Sequence, residues 1–154
     1  MYTKKQIVSP PQTPPKTLID HPFFGLVLDN DQILLRDTIW DEEHLIVFCN
    51  AAAGTGKTLV AAATAELLVQ YGRYQGIVYI MSPYAESKQG YLPGTLAEKS
   101  KYYHKPFFQA LVSIGVNPIT AICDDTPQNQ KVGCGYISCG TDSFIRGVNY
   151  DRVV

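Results

Sequence analysis

The sequence predicts an α/β fold, a three-layer sandwich in which a mainly parallel sheet is covered by helices. Two observations carry that expectation. Residues 45–49, LIVFC, form a continuous apolar run of β-formers between polar residues, the pattern of a strand buried on both faces of a parallel sheet. That run leads directly into AAAGTGKT at 51–58, then into an alanine- and leucine-rich stretch of strong helix propensity, and then into a second apolar run, GIVYIM at 76–81. Strand, glycine loop, helix and strand make a βαβ unit.

The remaining elements are expected as follows. Residues 1–22 carry Pro10, Pro11, Pro14, Pro15 and Pro22, which remove backbone donors and favour extended, unpaired chain, so they are read as an arm before a domain over 23–154. Ile33, Leu34, Ile39 and Trp40 recur at near-helical spacing behind an Asn or Asp able to cap, which predicts a short helix over 30–40 followed by the polar turn DEEH. The helix after Lys57 should run to Tyr71 and stop at Gly72 in a left-handed cap, and Pro83 should close the strand at 76–81. Residues 82–93 read as a loop, and 95–113 as a helix that Pro106 kinks or divides. ITAIC at 119–123 and GYISC at 135–139 read as further strands, with RVV at 152–154 beginning another.

Composition narrows the function classes. A chain of 154 residues with 45% hydrophobic content is enough for one buried core. A net charge of -1 and a pI near 6.3 give no general electrostatic footprint for nucleic acid. No apolar run approaches bilayer length, and the polar start has no apolar h-region behind its lysines, so no membrane partner is expected and the expected location is the cytoplasm. Cys49, Cys123, Cys134 and Cys139 form no paired metal-ligand spacing and are read as reduced thiols.

The chemistry concentrates at 51–58. In the pattern G-x-x-x-x-G-K-[ST] a glycine-rich turn lets successive backbone N–H groups converge on phosphates, while the following helix points its positive end at the same charge. Ala51, Ala52, Ala53, Gly54, Thr55, Gly56, Lys57, Thr58 and Leu59 are therefore the candidate nucleotide-binding residues. Lys57 would reach the β- and γ-phosphates of ATP and Thr58 would ligate Mg2+. Ala51 stands where the strict pattern has glycine. Alanine costs on the order of 1 kcal/mol if that position needs a positive φ and almost nothing if it needs only a small side chain, and the second case is favoured.

Hydrolysis also needs a carboxylate at the end of a neighbouring strand. Asp124, following ITAIC, is the best candidate in this chain, against the reading that DDTPQNQ is simply a polar turn. His21, His44 and His104 are isolated and read as surface or packing residues. Seven of the tyrosines between 71 and 103 could stack on bases, but without basic clusters beside them packing is the better use.

With AAAGTGKT, GYLPGTLAEK, the downstream Pro106 and FIRGVNYD at 144–151 in view, the sequence resembles the PhoH-like family of P-loop ATPases over about residues 45–154. The resemblance implies a P-loop NTPase fold with a RecA-like core, similar to the first motor domain of superfamily 1 helicases, and ATP hydrolysis coupled to RNA or other single-stranded nucleic acid in a complete protein. It implies that Gln32 matches an adenine-reading glutamine, for which a side-chain amide offers both donor and acceptor, and that Arg146 senses phosphate charge. A solvent-facing helix residue and a structural ion pair are the respective alternatives. The family usually has an arginine where this chain has Ser82. Its acidic motif normally lies a few residues beyond RGVNYDRVV, so the expectation is a domain cut before that acid, whose unpaired last strand would favour a homo-oligomer. A non-catalytic nucleotide-binding module and a small-molecule P-loop kinase are the competing readings.

Overall fold

The computed structural model describes residues 13–82, 96–122, 135–141 and 151–154. Its elements are α1 (Asn30–Trp40), α2 (Lys57–Gln70), β1 (Ile77–Met81), α3 (Leu96–Ser113), α4 (Pro118–Ala121) and β2 (Ile137–Thr141), with a single 3₁₀ turn at Phe23–Gly25. β1 and β2 run parallel, Ile77 opposite Ile137 and Met81 opposite Thr141. On the other edge of β1, Val153 makes a parallel bridge to Gly76, and Val78 N–H donates to the Val154 carbonyl at 2.8 Å. The described part is thus an α/β fold with parallel pairing, as the sequence led us to expect.

α2 is the centre of the core. Val60, Ala62, Ala63, Ala65, Leu67 and Leu68 are all buried, and so are Thr64 and Glu66. A helix this rich in apolar residues has little solvent face to offer, and α2 accordingly packs against α1, α3 and β1. Its small alanines let those neighbours approach closely. Two buried polar groups are satisfied: the Thr64 hydroxyl donates to the Val60 carbonyl at 2.8 Å, and Glu66 accepts from the Tyr136 hydroxyl at 2.8 and 2.9 Å and from Gln70 Nε2 at 3.0 Å. Burial, with the neighbouring Glu66 charge and hydrogen bond, pushes the Tyr136 phenol well above its ordinary range.

α1 is held at both ends. Asp29 accepts from Gln32 N–H at 2.8 Å while Gln32 Oε1 accepts from Asp29 N–H at 3.1 Å, a reciprocal capping box that satisfies two otherwise orphaned donors. At the other end Trp40 is buried, donates Nε1–H to the Pro15 carbonyl at 3.0 Å, and carries the Arg73 guanidinium 4.1 Å from its ring centroid. Arg73 donates to the Trp40 carbonyl at 2.6 Å and pairs with Glu42 at 3.2 Å. Within the stretch read as an arm, Pro15 and Leu18 are therefore held against the body, Leu18 being fully buried.

Two expected strands need correction. Residues 45–49 form no ladder; they run as irregular chain with Leu45, Ile46 and Phe48 exposed. A strand exists only beside a hydrogen-bonded neighbour, and among the described residues none lies next to this run. Residues 118–121 are a helical turn instead of a strand. The Asn117 side chain caps it by accepting from Ile119 N–H at 3.0 Å and Pro118 occupies its first position, a start signal that outweighs the apolar run behind it. Ile122 makes an isolated bridge to Ile137, and the Ala121 carbonyl accepts from Tyr136 N–H at 3.0 Å. Elsewhere the differences are small. β2 begins two residues later than GYISC, and α3 continues through Pro106 as one helix.

Buried His104 and half-buried His21 predict an acid limb to stability. His104 packs edge-on to Tyr79 and stacked on Phe108, both with centroids 6.0 Å away, and its Nε2 has no hydrogen-bond partner among the described residues. Burial lowers its pKa from the ordinary 6.5. His21, whose Nδ1 accepts from Phe23 N–H at 3.0 Å, is lowered by burial and then by Arg36. A base with a depressed folded-state pKa contributes stability above the unfolded value and loses it as pH falls through the folded one. The urea midpoint should therefore hold between pH 8 and 7 and drop below about 6.5. His104→Phe should flatten that drop, and a midpoint that ignores both pH and substitution would refute the account.

Candidate functional site

The glycine-rich loop at 51–58 connects the irregular run at 45–49 to the first turn of α2. Gly54 and Gly56 adopt left-handed φ angles of 83° and 79°, a region that glycine enters without steric cost. Gly56 is also the N-cap of α2 and provides no side chain to the helix end. The first N–H groups of α2 thus lack a side-chain cap, and they sit on the positive end of a buried helix. Ala51 is not among the described residues with positive φ, so alanine is tolerated there without backbone strain.

Lys57, the first residue of α2, folds back over the loop. Its Nζ donates to the carbonyls of Ala51 at 2.7 Å and Ala52 at 2.5 Å, and Thr55 Oγ1 adds a third bond, to Ala52, at 3.0 Å. An ammonium has three donors, so one remains for a bound anion. Thr58 lies half-buried next to it, its hydroxyl oxygen being a hard donor suited to a magnesium ion.

Gln32 reaches the loop from α1. Its Nε2 donates to the Thr55 carbonyl at 3.1 Å, and a Cβ added at Gly56 would stand 2.8 Å from that same nitrogen. The capping half of this arrangement was readable from the spacing of Asp29 and Gln32. The loop contact, 23 residues along the chain, carried no local signal.

Behind the loop a hollow of about 510 Å³ separates the run at 45–49 from β1, with Leu35, Val47, Ala61, Val78, Phe107 and Val154 among its walls and Lys57 and Thr58 also on its lining. Most of its lining is aliphatic or aromatic, so the groups able to hold an anion belong to the loop. Asp124 and Arg146 lie outside the described residues. Among the described residues no cluster of three His, Cys, Asp or Glu side chains could hold a metal, and Cys49 is an exposed free thiol. Among the same residues no helix is long and apolar enough to cross a membrane.

A model of the PhoH family, described as PhoH-like protein, matches residues 28–148, well over half of the chain. The chain belongs to the PhoH-like family. PhoH-like proteins of Mycobacterium leprae (strain TN), Mycobacterium bovis (strain ATCC BAA-935 / AF2122/97) and Mycobacterium tuberculosis (strain ATCC 25618 / H37Rv) are each 39% identical over 72 residues, which is 46% of this chain and 20% of theirs. The chain thus matches about a fifth of the length of these PhoH-like relatives. No solved structure matches it. The PhoH match covers α1, the glycine-rich loop, α2 and β1, the elements that assemble the candidate site.

Proposed function

We propose that this chain is a P-loop NTPase domain of RecA-like, three-layer type that binds ATP with Mg2+ at residues 51–59. The observation that carries the reading is the loop itself. Two left-handed glycines turn the backbone into the uncapped end of α2, and the Lys57 ammonium lies across that turn on the Ala51 and Ala52 carbonyls. Phosphate oxygens would accept from the backbone N–H groups of Gly54 through Thr58 and from Lys57. Bound Mg2+ would supply charge neutralisation between the phosphates, with the Thr58 hydroxyl as its protein ligand. Lys57 stabilises negative charge on the phosphoryl oxygens, and Asp124 is the carboxylate of this chain assigned to orienting the attacking water. Membership of the PhoH-like family supports ATP as the nucleotide, and extends the reading to RNA or single-stranded nucleic acid as the partner of a longer protein.

Calorimetric titration with ATP tests this in the presence and absence of Mg2+, with inorganic triphosphate as competitor. Saturable binding strengthened by Mg2+ and displaced by triphosphate is the expected result. Absence of saturable ATP binding, or binding indifferent to triphosphate, would remove the loop from the function. Turnover measured on the same sample separates an ATPase from a module that binds nucleotide without hydrolysing it.

A further inference from the structure

We propose that Gln32 is a positioning residue that aims the glycine loop, its amide being engaged by backbone at both ends. The inference rests on the loop being a phosphate site. Gln32 Oε1 faces a donor, Asp29 N–H, and Nε2 faces an acceptor, the Thr55 carbonyl, so the amide has one orientation that satisfies both. It bridges the first turn of α1 to the loop. α1 is itself anchored by buried Arg36 and Trp40, so the bridge ties the loop to the core.

The consequence for the loop follows from peptide planarity. In a trans peptide the carbonyl of Thr55 and the N–H of Gly56 point in opposite directions. Holding the Thr55 carbonyl toward α1 therefore turns the Gly56 N–H away from α1. A side chain at Gly56 would displace that amide, because a Cβ there would meet Gln32 Nε2 at 2.8 Å. Gly56 is thus favoured by its φ of 79°, and the absence of a side chain there lets the Gln32 amide keep its place on the Thr55 carbonyl.

The test compares ATP, GTP and inorganic triphosphate binding to the wild type and to Gln32→Ala, Gln32→Glu and Gly56→Ala, singly and with Gln32→Ala combined with Gly56→Ala. Gln32→Ala should weaken all three ligands by the same factor, roughly ten-fold, the net worth of one well-made hydrogen bond. Gln32→Glu should be worse for all three, because a carboxylate oxygen would then face the Thr55 carbonyl. The double substitution should cost less than the sum of the single ones, since removing the amide removes the steric half of the Gly56 conflict. A loss confined to ATP, no loss at all, or strict additivity would overturn the proposal. Hydrogen exchange at the Gly56 amide provides a separate readout. If the wild type binds none of the three ligands, the phosphate-site reading fails, while unchanged exchange in Gln32→Ala would still sink the clamp and accelerated exchange would uphold it.

Discussion

Lys57→Ala is expected to weaken Mg2+-dependent ATP binding by about a hundred-fold, or roughly 2–3 kcal/mol, the usual result of removing one member of a hydrogen-bonded charge pair. The fold should not suffer. The hydrogen bonds of Lys57 Nζ go to the carbonyls of Ala51 and Ala52, in a segment where both residues are exposed, and water replaces the lysine there. The denaturation midpoint should stay within about 0.5 kcal/mol of the wild type, as for an ordinary surface substitution. Lys57→Arg should also bind poorly. A planar guanidinium cannot place a compact charge over the turn while donating to both carbonyls. Equal ATP affinity in the wild type and Lys57→Ala would refute the assignment.

Gly76→Ala should produce the largest loss of stability among simple glycine substitutions in the described residues, about 2–3 kcal/mol in urea unfolding. An added Cβ would stand 2.5 Å from the Tyr136 carbonyl oxygen, which is backbone and cannot swing aside. That same oxygen accepts from Ile77 N–H at 2.8 Å, the first bond between β1 and the chain entering β2. The substitution therefore forces apart the start of the parallel pair and disturbs Tyr136, which holds buried Glu66. Gly72→Ala is the comparison. Its Cβ would meet nothing within 4 Å, so only the positive φ of 72° is penalised, at about 1 kcal/mol. Equal losses at the two positions would show that the close approach at Gly76 is not what holds the strands in register.

Helices α1 and α2 were legible because their signals are local. An Asn or Asp able to cap precedes Ile33, Gly72 gives the left-handed stop, and alanine and leucine between Lys57 and Gln70 give propensity. β1 was legible from its apolar, β-branched run bounded by Gly76 and Pro83. The same logic misread residues 45–49 and 119–122, because apolarity and β-propensity describe a surface that fits a sheet and do not supply the neighbour that makes one.

What the sequence by itself determined, then, is the set of local devices: the caps, the largely apolar α2, and a loop whose Gly54, Gly56 and Lys57 fit the phosphate-loop pattern. The tertiary structure decided which of these meet. It set Gln32 against Thr55, 23 residues away, and Tyr136 against Glu66, 70 residues away. It left Leu45, Ile46 and Phe48 exposed beside a hollow. The physical reason is that a cap or a turn is settled within a few residues of chain. A side-chain bridge or a sheet pairing depends on closing a long loop and on packing that no short window of sequence contains.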